Sequence, residues 1–147
     1  MGYRSACAVL AGGGVECWGD NASGELGNNS TSNSWIPVPV AGLSSGVTAV
    51  SVGNASAGAI TAGGGVACWG DNGSGELGNN STVSSPVPVP VTGLSSGVTA
   101  VSVGGDSACA VAAGGGVECW GNNLFGKLGN DSTGAGSLAP VRVVGFP

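Results

Sequence analysis

Trp18-Gly-Asp-Asn-Ala-Ser-Gly-Glu-Leu-Gly27 returns as Trp69-Gly-Asp-Asn-Gly-Ser-Gly-Glu-Leu-Gly78, and less faithfully as Trp120-Gly-Asn-Asn-Leu-Phe-Gly-Lys-Leu-Gly129. Each copy lies 51 residues after the last. A fixed period of this size marks a repeat architecture, in which each unit buries its apolar face against a neighbour. The shift divides the chain into units 5–55, 56–106 and 107–147, all of one domain type.

Working outward, a short apolar segment precedes each copy: SACAVLA, SAGAITA and SACAVAA. Three glycines follow it (Gly12–Gly14, Gly63–Gly65, Gly114–Gly116), and then VECWG, VACWG and VECWG. Two apolar runs across a Gly-rich loop read as a β-hairpin. In that hairpin Cys7 faces Cys17 and Cys109 faces Cys119, close enough on one sheet face to bridge. Cys68 repeats the second cysteine, but Gly58 stands where its partner belongs. Two readings fit the five cysteines: disulfides in an exported protein, or buried free thiols packing as small hydrophobes. The identical spacing of the two pairs favours the first.

After each Trp motif and an Asn/Ser/Thr-rich loop comes a third strand: IPVPV, PVPVPV or APVRVV. Alternating Pro cannot donate to a ladder on both sides, so this strand belongs at a sheet edge. A fourth strand, VTAVSVG, appears at Val47–Gly53 and Val98–Gly104. Its residues are small, as a crowded position such as a narrow channel lining requires. Four short strands per unit, with no Gly-free helical periodicity, describe an all-β fold of antiparallel β-propeller blades.

The motif W-G-[DN]-N-x-x-G-x-L-G, followed by the P-V strand and G-V-x-A-V-x-x-G, resembles the regulator of chromosome condensation type repeat. The resemblance covers essentially the whole chain and implies a β-propeller, commonly of seven blades. Units with Cys in both hairpin strands look most like bacterial, often exported members. Nucleotide exchange on a small GTPase, known in the family, depends on inserted loops and charged residues that these short units lack. The family's ultraviolet-sensing type uses Trp clusters with many Arg, and Arg is scarce here. A β-lactamase-inhibiting member uses aromatic loop residues.

The motif residues have structural assignments. Trp18, Trp69 and Trp120 supply flat apolar area between blades. Gly19, Gly70 and Gly121 permit close packing beside them. The Asp-Asn or Asn-Asn pair bonds its own backbone to shape a turn. Gly24, Gly75 and Gly126 are expected at positive φ. Leu26, Leu77 and Leu128 pin the loop to the core, closed by Gly27, Gly78 and Gly129.

Composition excludes several classes. The net charge is −5, and Arg4, Lys127 and Arg142 are the only cations. No basic stripe exists to neutralise the phosphates of nucleic acid or anionic lipid. No apolar run reaches the ~20 residues of a membrane span, so no membrane insertion is expected. Without any His or CxxC, zinc is disfavoured. No secretory signal is legible at Met1–Arg4, so export implies a leader already removed.

Chemistry is sparse. Calcium through Asp20, Asn21, Ser23 and Glu25, repeated by Asp71 and Glu76, has the right oxygen donors. It lacks the EF-hand spacing, and the third unit substitutes Asn122 and Lys127. No metal or cofactor is therefore expected. A chain without His lacks Ser-His and Cys-His pairs, and no glycine cluster forms a phosphate loop. No catalytic residue is assigned. Two places break the repeat: Trp35 stands where the second unit has Pro86, and Leu124-Phe125 where the others have Ala22-Ser23 and Gly73-Ser74. These aromatics are candidate contact residues for a protein or glycan, or else pack locally.

The slim strand occurs twice, so the third unit lacks its final strand and the chain has eleven strands. Three blades do not close a ring. Either the chain is part of a longer propeller, or copies associate through their terminal blades. The expected function is a non-enzymatic binding or scaffold module, extracellular or at the cell surface. The alternative is a structural subunit that polymerises into a ring or filament.

Overall fold

The computed structural model describes residues 1–147. The elements are β1 (Ser5–Val9), β2 (Val15–Gly19), β3 (Ser34–Pro39), β4 (Ala49–Val52), β5 (Ser56–Ile60) and β6 (Val66–Gly70). They continue with β7 (Ser85–Pro90), β8 (Val98–Val103), β9 (Ser107–Ala112), β10 (Val117–Asn123) and β11 (Gly134–Arg142). All pairings are antiparallel. The sheets run β1-β2-β3, β4-β5-β6-β7 and β8-β9-β10-β11. The Pro-bearing strands β3, β7 and β11 each take an edge, as their missing N–H groups require.

The 51-residue units and the sheets are out of phase by one strand. The slim strand β4 pairs with β5 of the following unit, and β8 with β9. The cause is a tight turn after each slim strand. Gly53 N–H donates to the Ser56 carbonyl at 2.8 Å, and Gly104 N–H to Ser107 at 2.8 Å. By contrast, the chain between β3 and β4 crosses to the next sheet. The strand count of eleven stands, but the three-stranded sheet is the first and not the third.

The hairpin turns are also displaced by a residue from the triple glycine. Leu10 N–H donates to the Gly14 carbonyl and Gly13 N–H to Leu10, both at 2.8 Å, so Gly14 already belongs to the ladder. Of those three glycines only Gly13 has positive φ, at 77°. The third unit carries one extra residue before its edge strand. Ser34, Ser85 and Ser137 pair with Gly19, Gly70 and Gly121, so Leu138, not Ser137, matches Trp35 and Pro86.

Two apolar cores fill the spaces between sheets. One joins Cys17 and Leu26 of the first blade to Ala57, Ala59 and Trp69 of the second. The other joins Cys68 and Leu77 of the second to Val103, Ala108 and Trp120 of the third. The middle sheet is walled on both sides, and every residue of β5 and β6 is buried. Its residues there are correspondingly slim: Ser56-Ala57-Gly58-Ala59 in β5, and Val66-Ala67-Cys68 before Trp69 in β6. At the inner edge a side chain on Gly53 would collide with the carbonyl of Gly104. The small residues of the slim strands let neighbouring backbones approach this closely.

Candidate functional site

The junction between blades is built from the Trp motif. Trp69 Nε1–H donates to the Glu25 carbonyl of the preceding blade at 2.9 Å, and Trp120 to Glu76 at 2.8 Å. Both indoles are fully buried. Each packs its five-membered ring against a glycine: an added Cβ at Gly27 would come 2.9 Å from Trp69 Nε1, and one at Gly78 2.8 Å from Trp120 Nε1. A second contact lies further out. Asn29 N–H donates to the Pro86 carbonyl and Asn80 N–H to Leu138, each at 2.9 Å. Asn29 and Asn80 take positive φ of 61° and 59° to aim these groups across the gap.

Each loop is organised by the second residue of the Asp-Asn pair. Asn21 is fully buried. Its Oδ1 accepts from Leu26 N–H at 2.9 Å, while Nδ2 donates to the carbonyls of Ser30 and Ser32 at 3.0 and 2.9 Å. Asn72 repeats this arrangement with the carbonyls of Ser81 and Val83, and Asn123 does so with a single carbonyl, that of Ser132. Reading the pair as one turn-forming unit missed the division of labour between its members. The available signal was that Asn holds the second place in all three units, whereas the first changes from Asp to Asn.

The oxygens considered for calcium serve the loops themselves. Glu25 Oε2 accepts from Ser23 N–H, and Glu76 Oε2 from Ser74 N–H, both at 2.8 Å. Both glutamates are buried. Burial pushes the Glu76 carboxyl above its ordinary pKa, and the charges of Asp71 and Asp106 add to this. The backbone N–H groups of Glu76 and Ser74 pull the other way.

The third loop departs. Lys127 has no carboxylate to accept a loop N–H, and its ammonium pairs with Asp106. Asn122 Oδ1 accepts from Leu124 N–H at 2.7 Å. Leu124–Gly126 turns as a short 3₁₀ segment in which Phe125 takes φ 67°. That left-handed conformation is uncommon for a bulky residue. Phe125 is 99% exposed and Leu124 54%. The third loop thus carries Lys in place of Glu and Phe in place of Ser, and displays an aromatic where its two counterparts are closed by a glutamate.

Trp35 is 84% exposed, but on β3 of the first blade, so it is not brought together with Phe125 on the third. Its counterparts Pro86 and Leu138 sit in blade junctions against Gly24 and Gly75. Gly24, Gly75 and Gly126 have φ of 83°, 81° and 70°, and Gly19, Gly70 and Gly121 also lie at positive φ.

The sulfurs of Cys7 and Cys17, and of Cys109 and Cys119, are bonded at 2.06 and 2.09 Å. Cys68 is a buried free thiol opposite Gly58. Desolvation raises its pKa to about 12, which keeps it protonated and a poor nucleophile at neutral pH.

Comparison with known proteins follows the same pattern. Residues 13–60 and 63–111 match the model of the regulator of chromosome condensation (RCC1) repeat. The chain is similar to the ultraviolet-B receptor UVR8 of Arabidopsis thaliana, 31% identical over 132 residues, covering 88% of this chain and 30% of the receptor. Human WBSCR16 superposes with a TM-score of 0.84 at 23% identity, covering 98% of this chain and 36% of that one. Prp20p of Saccharomyces cerevisiae, described with its binding to Gsp1p and histones, gives 0.85 at 17% identity, covering 97% and 37%. The chain spans about a third of the length of these relatives, so its three sheets form an arc of a propeller.

Proposed function

The chain belongs to the regulator of chromosome condensation (RCC1) repeat family, and from that footing we propose that it acts without catalysis, as a binding or scaffold module. It does so as one arc of a larger propeller, presenting its loops to a protein or glycan. The observation that carries this reading is Phe125, fully exposed at positive φ on a loop whose two counterparts are closed. An aromatic held on a backbone it strains is characteristic of contact sites. The two hairpin disulfides support an oxidising compartment, outside the cell or at its surface, in keeping with the exported bacterial members.

The test is a comparison of the chain with Phe125→Ser on arrays of glycans and of extracellular proteins. Ligands held by the first and lost by the second, with the unfolding midpoint unchanged, support the reading. Equal profiles overturn it. Export to an oxidising compartment is checked by thiol alkylation of protein taken from its own cells: one alkylated cysteine supports it, five refute it.

A further inference from the structure

A polar cavity of about 310 Å³ opens where the first two blades meet. Its walls include Arg4, Asp20, Ser23 and Glu25 of the first blade, and Asn54 and Ala55 from the turn that opens β5 of the second. It lies at a junction that the chain closes within itself, since the same Glu25 takes the Trp69 indole on its carbonyl.

The polar groups of this cavity are incompletely used. Glu25 is only 2% exposed, yet it lines the cavity. Its Oε2 accepts from Ser23 N–H, whereas Oε1 has no partner within the chain. A carboxylate oxygen accepts two hydrogen bonds, and leaving a buried acceptor unpaired is costly, so Oε1 calls for a donor from outside. Asp20 Oδ1 accepts from Asn21 N–H at 3.1 Å, and Oδ2 stands 3.7 Å from Arg4 Nη1, too far for a hydrogen bond. The Ser23 hydroxyl and the Asn54 amide bond to nothing else in the protein, and Asn54 is exposed.

This donor and acceptor set selects a ligand chemistry. A cationic ligand would meet the guanidinium of Arg4, and an anionic one the carboxylates of Asp20 and Glu25. A pair of neighbouring hydroxyls meets neither difficulty, because each both donates and accepts. The volume lies at the small end of ligand cavities, about 300–1,000 Å³, which suits a single sugar ring. The second junction serves as an internal comparison. It repeats the loop, with Glu76 Oε2 on the Ser74 N–H. There, however, Gly105 and Asp106 replace Asn54 and Ala55, Ala55 replaces Arg4, and the cavity does not recur.

We propose that the cavity is a carbohydrate subsite that takes the vicinal hydroxyls of one neutral sugar unit. One hydroxyl donates to Glu25 Oε1 and its neighbour to Asp20, while Arg4 and Asn54 donate to the hydroxyl oxygens. The subsite goes beyond the Phe125 loop, which belongs to the third blade, and none of its residues is shared with that loop.

The test is a nuclear magnetic resonance titration of the whole nitrogen-15-labelled chain with D-glucose, D-galactose, D-mannose and L-fucose in turn, and with methylammonium as a cationic probe. At least one sugar should shift the Asn54 side-chain amide and the Ser23 N–H saturably. Glu25→Gln keeps an oxygen for Ser23 but turns the free acceptor into a donor, and should weaken that sugar by about tenfold or more. Asn54→Ala, at an exposed position outside the core, should also weaken it. Glu76→Gln and Phe125→Ser should leave it unchanged, so that this subsite and the Phe125 contact fail separately. The proposal is overturned if none of the four sugars shifts these resonances, or if methylammonium shifts them and the sugars do not. It is equally overturned by sugar shifts that persist undiminished in both Glu25→Gln and Asn54→Ala.

Discussion

The indole of Trp120 donates its N–H to the carbonyl of Glu76, 44 positions earlier in the chain and one blade away, at 2.8 Å. It is a buried side-chain hydrogen bond in a junction that also holds the bond from Asn80 N–H to the Leu138 carbonyl. Trp120→Phe keeps most of the packing but strands a buried carbonyl, and should cost about 1–3 kcal/mol. Trp120→Ala should cost about 3–5 kcal/mol. Trp18→Ala should cost less, about 2 kcal/mol, since part of the ring stays in water and no buried hydrogen bond is lost with it. Urea unfolding midpoints of the three variants check the ranking; an equal cost for Trp18 and Trp120 would contradict the difference in burial.

Glu76 supplies a pH dependence. Its folded pKa is raised, chiefly by desolvation. A raised carboxyl favours the folded state below the unfolded pKa, ~4.3, and that advantage is lost as pH rises through the folded value. Glu76→Gln keeps an oxygen for the Ser74 N–H and removes the titration. Relative to this variant, the wild type should therefore lose stability as pH rises above about 4. Melting temperatures across that range give the sign, and a wild type that gains on the variant as pH rises would refute it.

Gly53 tests the close approach of the inner strands. A Cβ there meets the Gly104 carbonyl and comes 3.0 Å from Val103 Cγ1. Gly53→Ala should destabilise by about 1–3 kcal/mol, an overpacking cost. Gly12 has open space around its Cβ position and no positive φ. Gly12→Ala should be neutral or should stabilise by up to about 1 kcal/mol through the unfolded chain. Chemical denaturation of the pair separates crowding from backbone entropy.

Cys68 should resist alkylation in the native protein and react fully on unfolding, since its thiol is buried with a pKa near 12. Gly58→Cys restores the pairing of the outer blades: the new Cβ lies 2.9 Å from Cys68 Sγ, with Val103 Cγ2 at 3.1 Å having to give way. Refolded under oxidising conditions, this variant should contain no free thiol by intact mass after alkylation. A surviving pair of thiols would show that Val103 holds its place against the bridge.

Much of the architecture was legible because strand-forming residues, hairpin glycines and cysteines all repeat on one period. The grouping of strands into blades was not. It depends on which connection closes as a tight turn, and the Gly53-to-Ser56 turn looks in sequence like any other polar break. Nor did the sequence separate Trp18 from Trp69 and Trp120, because the residue is the same and only its surroundings differ. The display of Phe125 was legible in part. The exchange of Ser for Phe was visible, whereas the loss of the glutamate acceptor that closes the other two loops needed the hydrogen bonds.

The two disulfides lie in the hairpins of the first and third blades, and the middle hairpin, walled on both sides, keeps a lone thiol. The molecule therefore has two clocks. Amide protons of β5 and β6 should be the last to exchange, timed by global unfolding alone. Those of the flanking hairpins should keep nearly the same time only while their crosslinks are intact. Once reduced, the flanks should exchange first, and a protease should trim the chain from its outer blades towards a centre that covalent chemistry never touched.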